Sequence, residues 1–164
     1  MSLFNTLLFF SALSCTLVTG FIFTYAVVVM PGLSKLGDKE FLRAFQVTDE
    51  VIQKNQPLFM FTWIGSIISV LGLIICSLIS VGFTESWPII SVGIVYLLGV
   101  QGITILVHLP LNNHIQKLKI EELNDKLLNE QRLQFENKWN YYNNIRTTIA
   151  FFVSIVLLLI IIEK

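Results

Sequence analysis

The sequence predicts an all-α fold, a bundle of four transmembrane helices with helical cytoplasmic extensions between helices 1 and 2 and between helices 3 and 4. Three observations predict it. Hydrophobic residues make up 54% of the 164 and charged residues only 13%, about half the charged share of a soluble domain. Charge is missing altogether from residues 1–34, 56–84, 86–113 and 147–162. A bilayer core needs roughly 20 apolar residues in a helix. Finally, ten of the eleven basic residues fall in just two connections. Eleven acidic residues balance the basic ones, so no global charge draws the chain to nucleic acid. Residues 1–164 read as a single integral membrane domain.

The first span, about residues 3–30, is too long and too poor in basic residues at its start for a cleaved signal peptide. Ala12-Leu13-Ser14-Cys15 is a faint lipoprotein-like cleavage site, but the apolar run continues well past it. Met30-Pro31-Gly32 is its expected stop. The second span covers 57–83, opened by Pro57 in a first helical turn. A short turn around Glu85 leads to the third, 88–109. The fourth, 142–162, includes Arg146, whose long side chain can snorkel.

Lys35, Lys39, Arg43 and Lys54 lie in the first connection. Lys117, Lys119, Lys126, Arg132, Lys138 and Arg146 lie in or beside the last. The positive-inside rule makes both connections cytoplasmic and places both termini outside a plasma (inner) membrane. Trp87 suits the outer headgroup belt; Trp139, Tyr141 and Tyr142 suit the inner one. Cys15 and Cys76 read as small packing residues within spans, with neither zinc spacing nor a disulfide framework.

Both connections are patterned. Phe41, Phe45, Val51 and Ile52 recur at roughly helical spacing behind an Asp38 N-cap, with Asp49, Glu50 and Lys54 on other faces. Such a helix could lie along the inner membrane surface. In the second connection Ile115, Leu118, Leu123 and Leu127 line one side, and Lys117–Glu121 and Glu122–Lys126 are spaced as helical ion pairs. The third helix is expected to run past the membrane, turn near Asn124-Asp125 or Asn129, and return into the fourth. A mobile loop is the alternative.

Polar residues inside a span are costly and mark candidate sites. Gln101, Thr104 and His108 share one face of the third helix, with Asn112 one turn on. Pro110 frees a backbone carbonyl near Leu106. Trp139, Asn143 and Arg146 share a face of the fourth. Tyr25, Trp63, Asn55 and Gln56 lie at the same end. The structural reading is interhelical hydrogen bonding. The functional reading is a pocket open to the inner leaflet, with His108, Asn112, Asn143 and Arg146 as catalytic candidates and Tyr25, Trp63, Gln101 and Trp139 as binding walls. His108 would be the base, the two asparagines an oxyanion site, and Arg146 a charge anchor. His114 falls on another face, so no metal pair is expected. A haem on a lone axial His has no second supporting feature, and the cofactor stays unknown. Gly65, Gly72, Gly93, Gly99 and Gly102 permit close helix approach within one bundle or between copies.

Several blocks carry a resemblance. They are Met30-Pro31-Gly32-Leu33; Phe45-Gln46-Val47-Thr48-Asp49 with Gln53 and Pro57; Trp63-Ile64-Gly65-Ser66; His108-Leu109-Pro110-Leu111-Asn112-Asn113; and Phe135-Glu136-Asn137-Lys138-Trp139 followed by Asn143-Asn144-Ile145-Arg146-Thr147. In order and spacing, over about residues 20–162, the chain resembles the anthrone oxygenase-like family of small four-helix membrane proteins. The resemblance implies a four-helix bundle. A fungal branch of that family is associated with oxidising anthrones to anthraquinones, and most bacterial members have no assigned activity. It implies no catalytic residue set. Two functions therefore stand. One is an oxygenase-like membrane enzyme acting on an apolar aromatic or quinol-like small molecule. The other is a non-enzymatic protein that binds membrane lipid or a protein partner through its cytoplasmic hairpin.

Overall fold

The computed structural model describes residues 2–163; Lys164, the eleventh basic residue, lies outside them. It is all-α. Three helical stretches are long and apolar enough to cross a membrane: Leu3–Leu33, Pro57–Lys117 and Asp125–Ile162. We label Leu3–Leu33 α1. Ser2 caps it, its hydroxyl accepting from the Asn5 amide at 3.2 Å. Pro31-Gly32 does not end it. Instead Tyr25–Val29 widens into a π turn, and the helix continues to Leu33. Proline has no N–H to donate to the carbonyl four residues back, and the wider turn just before it absorbs that gap.

The middle stretch holds one residue outside helical geometry, Gly82, with φ 77° and ψ 175°. That region belongs essentially to glycine. Gly82 divides the stretch into α3 (57–81) and α4 (83–117), while α2 is Asp38–Gln53. The reversal is sharper than the expected turn around Glu85, which sits in the first turn of α4. Side-chain pairs show that the arms fold back on one another. Ser77 donates to Ser86 at 2.8 Å, and Tyr96 donates to Ser66 at 2.7 Å. A Cβ on Gly93 would lie 2.6 Å from Ile74, so the bare backbone permits this approach.

The last stretch, α5 (Asp125–Ile162), starts at Asn124, whose Oδ1 accepts from the Leu127 amide at 3.0 Å. Between α4 and α5 the chain breaks at Leu118 and makes a single 3-10 turn, Ile120–Glu122. The helical pairs Lys117–Glu121 and Glu122–Lys126 therefore do not form. Glu121 meets Lys39 at 2.6 Å, and Glu122 meets Lys119 at 3.1 Å. Leu128, rather than Leu127, is the buried leucine after the turn.

Two cores result. One joins Leu8, Cys15 and Ile22 of α1 to Val70 and Leu73 of α3, Tyr96 and Val100 of α4, and Ala150, Val153 and Leu157 of α5. The other joins Phe41, Leu42 and Phe45 of α2 to Ile115, Ile120, Leu128, Phe135 and Trp139. So α2 packs against the ends of α4 and α5 instead of lying alone along a membrane surface. Gly37 caps it, leaving Asp38 to accept from Arg132 at 3.0 Å. Arg132 also donates to Glu136, Leu36 O and Ser34 O, each at 2.8 Å, with its guanidinium 4.6 Å from the Phe41 ring centroid. One arginine thus fastens the α1–α2 turn to α5.

Outward faces are apolar. Ile79, Phe61 and Leu106 are 81%, 79% and 78% exposed. A water-facing surface rarely carries contiguous apolar patches of this kind, and contact with lipid explains it.

Candidate functional site

Between the two cores lies a cavity of about 320 Å³, within the size range of small-molecule sites. Seven of the eight residues singled out from sequence line it: Tyr25, Trp63, Gln101, His108, Asn112, Trp139 and Arg146. The eighth, Asn143, lies behind Arg146. Its Oδ1 accepts from Arg146 Nε at 3.0 Å and its amide donates to Ile22 O at 3.2 Å. Asn143 thus orients the guanidinium from outside the cavity lining.

The local geometry of α4 brings the polar groups together. Leu97–Gly102 and Thr104–His108 are both π turns, the second just ahead of Pro110. Gln101, Thr104 and His108 are all buried. Gln101 donates to Tyr96 Oη at 2.9 Å, Tyr96 donates to Ser66, and Ser66 donates to Trp63 O at 2.6 Å. Gln101 Oε1 is left without a partner. Neither ring nitrogen of His108 makes a hydrogen bond; the Tyr142 backbone lies alongside, outside hydrogen-bond geometry. The His108 ring meets Trp139 edge-on at 4.9 Å, and the Arg146 guanidinium sits 5.7 Å from the same indole. Trp139 is therefore an interior wall, not a residue of the headgroup belt.

Arg146 is 5% exposed. It donates to Thr104 Oγ1 at 2.9 Å and to Asn143, and it makes no ion pair among the described residues. A buried cation without a counter-ion is expensive. Here it borders the cavity. Aromatic rings complete the walls: Phe59 stacks on Trp63 at 5.3 Å, and Tyr25 lies 5.6 Å from Trp139.

Asp49 is the residue that sequence reasoning placed on the wrong face. It is 2% exposed and borders the same cavity. Its Oδ1 accepts from Asn112 at 2.8 Å, and its Oδ2 accepts from Gln116 at 2.9 Å and Gln53 at 3.2 Å. Asn112 in turn accepts from Trp139 Nε1 at 3.0 Å. Burial pushes the Asp49 carboxyl above its ordinary value of 3.8, and the three amide donors pull the other way. The missed signal was spacing. Phe41, Phe45 and Asp49 recur every four residues, which puts the acid on the buried stripe. Gln46 shares that stripe and donates to Ile115 O at 2.7 Å and Leu118 O at 3.0 Å, satisfying one carbonyl in the last turn of α4 and one just past its end. Val51, by contrast, is exposed.

His114 points away, 2.7 Å from Gln131 Oε1. Among the described residues no three His, Cys, Asp or Glu side chains gather as metal ligands. Cys15 and Cys76 are both free thiols.

A family model described as anthrone oxygenase matches residues 53–156. Neither a curated protein nor a solved structure matches the chain. The matched segment includes α3, α4 and most of α5, and with them every sequence-derived site residue except Tyr25. Asp49 and the two earliest resemblance blocks, at 30–33 and 45–49, precede it. With well over half its length in that match, the chain belongs to the anthrone oxygenase family.

Proposed function

We propose that the protein is a four-span membrane enzyme whose cavity binds a planar, apolar aromatic or quinol-like molecule and oxidises it with molecular oxygen. In this reading α1, α3, α4 and α5 each cross the bilayer. The two basic connections are cytoplasmic and both termini face outward, in a plasma membrane. The distribution of Lys and Arg supports that orientation, and the family membership supports the chemistry. For an anthrone-type ring the balance is simple. One methylene and one O₂ give one carbonyl and one water, a four-electron oxidation of carbon.

The observation that carries the reading is Arg146, a buried guanidinium without a carboxylate partner, bordering a cavity walled by aromatic rings. A phenolate or enolate oxygen supplies the missing anion. Preorganised charge of this kind, aimed at a developing oxyanion, is the commonest large term in enzyme catalysis. Tyr25, Trp63 and Trp139 then flank the ring system. His108 and the free Gln101 carbonyl address its oxygen substituents, Asn143 positions Arg146, and Asn112 holds Trp139.

Oxygen uptake by the purified protein with anthrone, followed by absorbance of the quinone, tests this. Arg146→Ala and His108→Ala are expected to abolish turnover. Unchanged turnover in both variants rejects the assignment. The alternative of a hairpin that recruits a lipid or protein partner has less support, because Ile115, Ile120, Leu128 and Phe135 are already covered by α2.

A further inference from the structure

The cavity holds two opposite charges that do not meet. Arg146 enters from α5 and Asp49 from α2, and no ion pair joins them. Asp49 has no cationic partner of its own among the described residues; carboxamides alone satisfy it. A ligand spanning the cavity can place an electron-rich oxygen against the guanidinium and an acidic hydrogen against the carboxylate.

We propose that Asp49 is the proton acceptor of this site, a catalytic residue that removes the acidic C–H or O–H hydrogen of the bound ligand. The proposal rests on the reading of the cavity given above. In the step, the ligand's C–H (or O–H) bond breaks and an O–H bond forms at Asp49. The released electron pair moves onto the ligand oxygen facing Arg146. Nothing is oxidised until oxygen reacts with the resulting anion.

His108 is the worse placed of the two. It packs on the same indole as Arg146, so taking a proton would set two cations side by side in a buried site. A proton on Asp49 instead neutralises a buried charge, and charge is then conserved between carboxylate and ligand anion. The route outward is short. The exposed Gln53 donates both to Asp49 and, at 3.2 Å, to Asn113 at the surface, so Asp49 lies one side chain from water. The titratable and charged groups facing Asp49 are Tyr25 from α1, His108 from α4 and Arg146 from α5; α3 contributes only Phe59, Met60, Trp63 and Ile67. Glu50 of α2 and Lys54 just beyond its end pair with each other at 2.6 Å in solvent.

Anaerobic hydrogen–deuterium exchange at the methylene of anthrone, in D₂O with the full chain in detergent micelles, isolates this step from oxygen chemistry. Anthraquinone, which has no such hydrogen, serves as the binding probe through quenching of tryptophan fluorescence. Asp49→Asn is expected to slow protein-dependent exchange by about 100-fold while the quench persists. Asp49→Glu is expected to retain exchange and shift the midpoint of its acid limb. Exchange at the wild-type rate in Asp49→Asn overturns the proposal, as does a wild type that binds anthraquinone without speeding exchange above micelles alone. Absence of any quench in the wild type overturns the reading of the cavity as well. If Asp49→Asn does not fold, an acid limb unmoved in Asp49→Glu is the overturning result.

Discussion

The two halves of the molecule solve the same problem in opposite ways. Toward the Gly82 end, most buried hydroxyl groups find one another or a backbone carbonyl, the buried Ser11 hydroxyl being the exception. Ser77 pairs with Ser86, Thr19 with Ser154 at 3.0 Å, and Ser14 with Ser69 at 3.2 Å. Toward the α2 end, the larger polar groups are kept apart. His108 and the Gln101 carbonyl have no partner, and Arg146 and Asp49 have no counter-ion. Small self-satisfied groups add cohesion at little expense. Unsatisfied large ones lower stability, and a cavity bordered by them is suited to a ligand that completes them. In the function proposed above, the difference separates a half built for packing from a half built for binding.

The sharpest way to break that comparison is at Arg146. Arg146→Met should lower turnover by about 100-fold or more while leaving the melting temperature equal or higher, since an unpaired buried cation is removed. Oxygen uptake and thermal denaturation of the same preparation read both effects. A large stability loss with activity retained would move Arg146 into the packing half. Arg132 tests the converse. It pairs with two carboxylates and two backbone carbonyls, so Arg132→Ala should cost about 2–3 kcal/mol and loosen the 34–37 turn to proteolysis, measured by denaturant titration in detergent and limited digestion. Gly82→Ala should cost about 1–3 kcal/mol, because its φ of 77° excludes a Cβ without strain; a thermal shift reads it.

A gentler probe is pH. The folded Asp49 holds its proton to higher pH than the unfolded chain does. Its contribution to stability is therefore present below 3.8, the ordinary value, and is lost as pH rises through the raised one. Asp49→Asn should flatten that part of the stability–pH curve, as followed by unfolding midpoints across acid pH. The smallest expected effect is in the packing half. Ser77→Ala should cost about 0.6 kcal/mol, and a larger loss would mean that the hydroxyl pairs carry more than cohesion.

Much of this division is legible in the sequence. The uncharged runs locate the helices, and the i, i+3, i+7 spacing of Gln101, Thr104 and His108 gathers them on one side. Asn143 and Arg146 follow from the same rule on α5. What escapes is non-local. Asp49 is written among Glu50 and Lys54, which are solvated, and only its register with Phe41 and Phe45 distinguishes it. The break at Leu118 is hidden by two four-apart charge pairs that favour continuing the helix. Gln46 closes the end of α4 from a helix remote in sequence, a contact that no local pattern encodes. The π turn before Pro31 let α1 run on where a Pro-Gly pair signals a stop.

The reversal at Gly82 bears on how such a chain is made. It leaves no hydrophilic loop between α3 and α4: Glu85 is the only charged residue from Asn55 to Gln116. In the proposed four-span reading, the two arms would enter a bilayer together, as one hairpin, with a single carboxylate to carry across. On that reading, insertion of the middle of the chain is one event, and the tight glycine turn serves biogenesis as well as the finished fold.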